Sequence, residues 1–377
     1  MTYLIHASQY LLKTGLKTGG YLEIVDGKFG NYFPGNNHPD LEVVELGNTI
    51  VGPGLVDTHI HGMLKEDVMK SDWTGINKIS EGLLKAGVTT WLPTTVTASS
   101  DQLTDICHMF SEHKGQETGA KIAGIHFEGP FFTEEHAGAE NPKYMIDPNM
   151  KDLNRWLEAS DGMLKKMSMA PERAGSCNFI RQATDAGVII SIGHSSADYD
   201  TACAAIQSGA TIFTHTFNGM PEADHHNPSI ANAALSVDGI YRELICDGHH
   251  VHPSLVKALI KASGEDHIVL ITDCMEAGMM PDGDYILGEL SVYVKDGMAR
   301  LKQGDNLAGS VLLLKDAVKN LVSWGIPLAS AMKMASVVPA ESIGLDVSIT
   351  RGNTADFIVM NQAGELQATY LAGKKRY

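Results

Sequence analysis

The hydrophobic pattern changes character twice along the chain. Residues 1 to about 50 alternate short apolar runs with Gly, Asn and Pro, as in YLIHASQYLL, GGYLEIVDGKFGNYF and LEVVELGNTIVGPG. Runs this short, broken by turn residues, predict β-hairpins rather than helices. The final stretch, TADFIVMNQAGELQATYLAGKKRY, has the same character, so one small β-sandwich built from both termini is expected. From Leu55 onward, short apolar runs ending in polar residues alternate with helical patterns of roughly 10–15 residues. The runs are LVDTHIH (55–61), GVTTWLPTT (87–95), KIAGIHFE (121–128), KKMSMAPE (165–172), GVIISIGH (187–194), ATIFTH (210–215), YRELICDGHH (241–250) and HIVLITD (267–273). Helices are predicted at Trp73–Ala86, Asp101–Glu112, Arg173–Asp185, Ala197–Ser208, Pro253–Ala262 and Leu312–Val322. Eight strand–helix units predict an α/β fold, a (β/α)8 TIM-like barrel. The barrel is assigned to residues 51–344 and the sandwich to 1–50 plus 345–377. One segment, residues 282–310, breaks the rhythm. Its Lys295-Asp296-Gly297 turn predicts a hairpin, read as a lid over the barrel mouth.

Composition narrows the function. The chain has 377 residues, 44% hydrophobic and 20% charged, with 38 Gly and 14 Pro, which fits a loop-rich enzyme of two folding units and not a disordered chain. Lys and Arg number 29 against 45 Asp and Glu, a formal charge of −16. Phosphate backbones need a basic surface, so nucleic acid is excluded as a partner, and an anionic membrane is disfavoured. No stretch approaches the roughly 20 apolar residues of a membrane span, and MTYLIHASQYLLKTG lacks a leader pattern, so a cytoplasmic location is expected. The five cysteines include no CxxC pair and suggest reduced thiols rather than a disulfide framework or zinc ribbon.

The 16 histidines are unevenly placed. Catalytic groups of a (β/α)8 barrel sit at the C-terminal ends of its strands. Strand one ends in His59-Ile60-His61, whose spacing puts both imidazoles on one face. Strand three ends at Glu128, five at His194, six at His215 and eight at Asp273. Alone, a strand-end His is usually a hydrogen-bonded structural residue and an Asp there a helix cap. Together, four imidazoles and two carboxylates form a ligand set for one or two divalent cations, zinc foremost, with iron(II) or manganese as alternatives. Such an ion lowers the pKa of water towards ~7 and polarises a carbonyl, the chemistry of amide or ester hydrolysis. Asp273 is then the general base that takes the proton of water and returns it to the leaving nitrogen.

These residues resemble a known group. The PGLVDTHIHG opening, the strand count and the terminal sandwich are similar to the amidohydrolase superfamily, and within it to the N-acetylglucosamine-6-phosphate deacetylase family with its galactosamine-type branch. The motifs are HFEGPFF (126–132), SIGHSSAD (191–198), FTHTFNGMP (213–221), CDGHHVHP (246–253), LITDCMEAGMMPDG (270–283) and LAGSVLLL (307–314). DGHHVHP, ITDCMEAGMMPDG and WLPTTVTA (91–98) are closer to the galactosamine type. The resemblance implies that Glu128, His194 and His215 hold the principal ion, that His59 and His61 can hold a second, and that Asp273 is the acid/base. Some superfamily members bridge two ions with a strand-four lysine. Lys165 and Lys166 stand at the wrong end of that strand, which leaves Glu128 as the bridge. It also implies substrate contacts from Asn218, Gly219, His250, Leu307, Ala308 and Gly309, and a homodimer in which His250 and position 226 face the neighbouring subunit. Two positions depart from the family. His226 stands where an Arg grips the sugar phosphate, and Ala139-Glu140 brings a carboxylate where relatives carry a His. An Arg forks onto phosphate, whereas a His does so weakly.

The expected function is thus deacetylation of an N-acetylhexosamine 6-phosphate, a small amino-sugar substrate. The alternatives are an amidohydrolase acting on an unphosphorylated N-acyl sugar or N-acyl amino acid, and a non-catalytic metal-binding barrel.

Overall fold

The eight apolar runs form eight parallel strands in the computed structural model of the chain, which describes residues 2–377. The strands are Leu55–Ile60, Val88–Thr95, Ile125–Glu128, Leu164–Met169, Ile189–Ile192, Ile212–Phe213, Tyr241–Ile245 and Ile268–Ile271. Each pairs in parallel with the next in chain order. The ring closes just past strand eight, where the Asp273 N–H donates to the His59 carbonyl at 2.9 Å and Cys274 bridges Ile60. The fold is therefore the expected (β/α)8 barrel.

Boundaries differ where polar residues were read into strands. The 121–128 run is two strands, Lys121–Ile122 and Ile125–Glu128, parted at Gly124, whose φ of 147° takes it out of the ladder. Strands four and seven end at Met169 and Ile245, and the polar residues after them turn into mouth loops. All six predicted helices are present, and side chains of Asp72, Ser99 and Asp198 cap three of them. Four further helices were not predicted: Met150–Ala159, Ile230–Ser236, Leu328–Met334 and Val337–Ser342. The last two span only seven and six residues, about two turns, too short for a 3.6-residue period to show.

The terminal segments build two sheets. One is four-stranded, in the order Lys28–Phe33, Tyr21–Val25, Thr2–His6, Val43–Glu45. The other is six-stranded and mixes both ends of the chain, with Thr49–Pro53 antiparallel to Phe357–Asn361. The strand Thr49–Pro53 thus crosses the boundary expected at residue 50. Alternation along the six-stranded sheet assigns its faces. Tyr10, Val51, Phe357, Val359 and Tyr370 pack towards the four-stranded sheet, whereas Leu11, Ile50, Ile358, Met360 and Leu371 join the core of the barrel.

The segment that breaks the rhythm is a three-stranded antiparallel sheet, Gly283–Leu287, Leu290–Lys295 and Met298–Leu301, with the predicted turn at 295–297. Val292, Val294 and Ala299 pack with Val96, Met275 and Ala308, which seats it at the barrel mouth. No helix among the described residues is long and apolar enough to cross a membrane.

Candidate metal centre

The predicted ligands meet at the C-terminal mouth of the barrel. His59 lies in strand one and Glu128 closes strand three, while His61, His194, His215 and Asp273 follow the ends of strands one, five, six and eight. His194, His215 and Asp273 adopt positive φ values of 45°, 22° and 53°. For residues with a Cβ that conformation costs on the order of 1–3 kcal/mol each, and such strain clusters at functional sites.

Glu128 is the hub. Its Oε1 lies 3.3 Å from His194 Nε2 and 3.1 Å from His215 Nε2, and its Oε2 lies 3.3 Å from His59 Nε2 and 3.1 Å from His61 Nε2. Asp273 Oδ1 lies 3.0 Å from His61 Nε2 and 3.4 Å from His59 Nε2. The ligand atoms fall into two groups sharing Glu128: His59, His61, Glu128 and Asp273, and Glu128, His194 and His215, each within a 4.8 Å span. All are buried.

The second nitrogen of every imidazole is committed elsewhere. His61 Nδ1 donates to the Thr94 carbonyl at 3.2 Å, His194 Nδ1 to that of His136 at 2.8 Å, and His215 Nδ1 to that of Asn218 at 3.0 Å. His59 Nδ1 donates to the Glu243 carboxylate at 3.3 Å. All four Nε2 atoms therefore face the cluster. His59 Nε2 is fully buried and makes no hydrogen bond, a rare and costly state for a polar atom. Imidazole fixed through Nδ1, with an unsatisfied Nε2 beside a carboxylate, fits a divalent metal ion.

The electrostatics agree. Burial alone would push the His59 imidazole down, but Glu128, Glu243 and Asp273 outweigh it and raise it to about 9. His61 is likewise driven well up against its burial by Asp273 and Glu128. Burial would raise Glu128, yet the surrounding imidazoles, His59 foremost, hold it well below the usual carboxylate range. His59 and His61 are thus drawn towards their charged forms by the carboxylates around them, while burial and His194 lower His215.

A cavity of about 370 Å³ opens above these ligands, within the range of small-molecule sites. Of the predicted substrate residues, Ala139, Glu140, Asn218, Gly219, His250, Leu307 and Gly309 line it. Ala308 instead packs into the apolar cluster beneath the three-stranded sheet. His226 lies on an exposed bend, its ring tilted at 40° to that of His225 with centroids 4.0 Å apart, outside the cavity of its own chain. Leu287, Asn306, Glu135 and His136 line the cavity and were not predicted. Glu140 is buried, with one oxygen accepting from the Thr97 N–H. Burial, with Glu128 nearby, raises its carboxyl to about 7.

Three buried charges beneath the site also escaped the sequence reading as functional groups. Lys166 Nζ pairs with Glu243 Oε1 and donates to the Thr58 carbonyl at 3.3 Å. Asp57 accepts from Thr272 Oγ1 at 2.6 Å and from the His59 N–H at 3.3 Å, bracing strands one and eight where Asp273 emerges. The available signal was an ionisable residue inside an apolar run, Asp57 in LVDTHI and Glu243 in YRELI.

The chain is similar to known proteins along nearly its whole length. A model of the amidohydrolase family matches residues 50–376. The N-acetylglucosamine-6-phosphate deacetylase of Vibrio furnissii is 36% identical over 91% of this chain and 86% of that protein. The N-acetylgalactosamine-6-phosphate deacetylase of Escherichia coli O157:H7 is 32% identical over 99% of both chains. Among solved structures, a mutant N-acetyl-D-glucosamine-6-phosphate deacetylase of Mycobacterium smegmatis in complex with N-acetyl-D-glucosamine-6-phosphate superposes with a TM-score of 0.95, at 32% identity, covering 100% of this chain and 99% of that one.

Proposed function

This chain belongs to the amidohydrolase family, and from that premise we propose that it is a metal-dependent deacetylase of an N-acetylhexosamine 6-phosphate, releasing acetate and the amino sugar phosphate. The observation that carries the reading is the Glu128-centred cluster at the barrel mouth, in a chain alike end to end with relatives named for this activity. Glu128, His194 and His215 would hold one ion, and His59, His61 and Asp273 would hold a second beside Glu128. The ion is zinc, with iron or manganese as substitutes. When bound, it lowers the pKa of water and polarises the acetyl carbonyl.

The protein supplies the rest. Asp273 Oδ1, at the cavity floor beside His61, accepts the proton of the attacking water and delivers it to the departing nitrogen. The backbone of Leu307 and Gly309 and the Asn218-Gly219 turn border the sugar. Backbone amides in such turns grip hydroxyls or phosphate without a cationic side chain. His226 reaches substrate only from a second copy of the chain, which is consistent with a homodimer.

A panel of phosphorylated and plain N-acetylglucosamine and N-acetylgalactosamine, compared by kcat/KM, tests the proposal. The phosphorylated sugars are expected to be preferred. A preference for the plain sugars would support the second reading, an amidohydrolase of unphosphorylated N-acyl sugars. That reading is favoured by a cavity lined by Glu135 and Glu140 and by neither Lys nor Arg among the described residues.

A further inference from the structure

One ligand imidazole is anchored differently from the other three. His61, His194 and His215 donate through Nδ1 to backbone carbonyls, whereas His59 donates to a side-chain carboxylate, Glu243 Oε2 at 3.3 Å. The same oxygen lies 3.3 Å from the His215 N–H and accepts from it. The other oxygen of Glu243 is held by Lys166, which also donates to the carbonyl of Thr58, the residue before His59. His59, Glu243 and Lys166 are all fully enclosed, each at 0% exposure. Strands one, four and seven and the end of strand six thus meet on one ion pair under the site.

Packing alone does not account for this pair. A buried ion pair costs desolvation that apolar side chains of the same volume avoid, and replacing one with such side chains is often neutral or stabilising. What apolar side chains cannot do is accept the proton of His59. A carboxylate on the far nitrogen fixes the tautomer and ring orientation of a metal-bound imidazole and raises its basicity.

We propose that Glu243, clamped by Lys166, is a positioning residue that aims His59 and sets the affinity of the ion held by His59 and His61. This rests on the metal reading given above. The test is a competition titration of metal-stripped protein with zinc against a chromophoric chelator, in wild type, in His59→Ala and in the double variant Lys166→Met/Glu243→Leu. The double variant leaves neither a lone carboxylate nor a lone ammonium. Because it removes the partners of the His59 Nδ1–H, the His215 N–H and the Thr58 carbonyl, the zinc-free protein is expected to melt at a lower temperature but to keep the wild-type circular dichroism spectrum at the temperature of the titration. Wild type is expected to take up two ions per chain. The double variant is expected to keep one at wild-type affinity and to bind the other about 10- to 100-fold more weakly, as the weakened or lost ion of His59→Ala identifies. A double variant that binds both ions as wild type does would overturn the inference, leaving the pair a packing feature. Uptake of a single ion by wild type, unchanged in His59→Ala, would overturn it too, while sparing the reading as a metallohydrolase. A wild type that takes up no zinc would overturn both.

Discussion

Asp273 stands 3.0 Å from His61 Nε2 with a face on the cavity, so the role proposed for it can be tested apart from that of the ligands proposed for the principal ion. Burial would raise its carboxyl, but the His61 hydrogen bond and the neighbouring imidazoles hold it low, which keeps it ionised and able to accept a proton. Asp273→Asn is expected to lower kcat on the order of 10²–10⁴-fold while the ion on Glu128, His194 and His215 stays bound, as metal analysis of the same sample would record. His59 leads to a second expectation. Its imidazole, raised to about 9 without metal, must lose a proton before it ligates. Zinc uptake at pH 7 should therefore release protons, and apparent affinity should climb with pH towards 9. Calorimetry in two buffers of different ionisation enthalpy reads this directly, and a heat independent of buffer would refute it. Glu140 shows the opposite linkage. Its ordinary value of 4.5 rises to about 7 in the fold, so the native state binds more protons than the unfolded chain and stability falls as pH rises through that window. Once the pH is above 7 the loss is roughly 3 kcal/mol. Metal-free Glu140→Gln should then be more stable than wild type at pH 8 and little different at pH 4.5. Urea unfolding at both values decides, and an equal difference at both would dismiss the linkage.

At the scale of elements, the strand ends were legible because one local pattern marks them all: an apolar run stops at a polar residue that faces the mouth. Glu128, His194, His215 and Asp273 were found this way. Glu243 and Asp57 were not: a charge inside an apolar run marks each of them as unusual, but its role is set by neighbours across the barrel, which a single sequence does not display. Lys166 was seen and set aside as lying at the wrong end of strand four. It does lie below the ligands, and its partner is Glu243. His226 was placed only by its position after the motif FTHTFNGMP, but its loop leaves it outside the cavity, and loop paths carry no periodicity. Arg242, next to Glu243 on the strand and so on its opposite, helix-facing side, was missed because its partners lie in a helix the pattern did not reveal. Its buried guanidinium donates to the carbonyls of Ala234, Val237 and Ile240, closing the C-terminal end of the helix Ile230–Ser236. Arg242→Leu would orphan those carbonyls, each worth about 1–3 kcal/mol when buried and unpaired. It should lower the melting temperature sharply yet leave zinc stoichiometry intact, because Arg242 touches no ligand.

The whole molecule is organised around a sheet buried on both faces. A sandwich of its own would present one solvated side to the barrel, but here Leu11, Ile50, Ile358, Met360 and Leu371 alternate out of the six-stranded sheet into the barrel core. Strand one begins at Leu55, directly after the sheet strand Thr49–Pro53. His59 and His61 therefore hang on a segment whose root is fixed by the C-terminal strand Phe357–Asn361. Apolar burial of that extent couples the two layers, so they should unfold together. All four tryptophans, Trp73, Trp91, Trp156 and Trp324, lie in the barrel, which makes their fluorescence a reporter of the barrel alone, while far-UV circular dichroism follows every strand and helix. Met360→Ala empties a fully buried position in the terminal sheet and should cost about 2–5 kcal/mol. If the layers are coupled, both signals shift to the same lower denaturant midpoint. A tryptophan transition that stays at the wild-type midpoint while the dichroism splits in two would mean that the barrel stands without its terminal sheets.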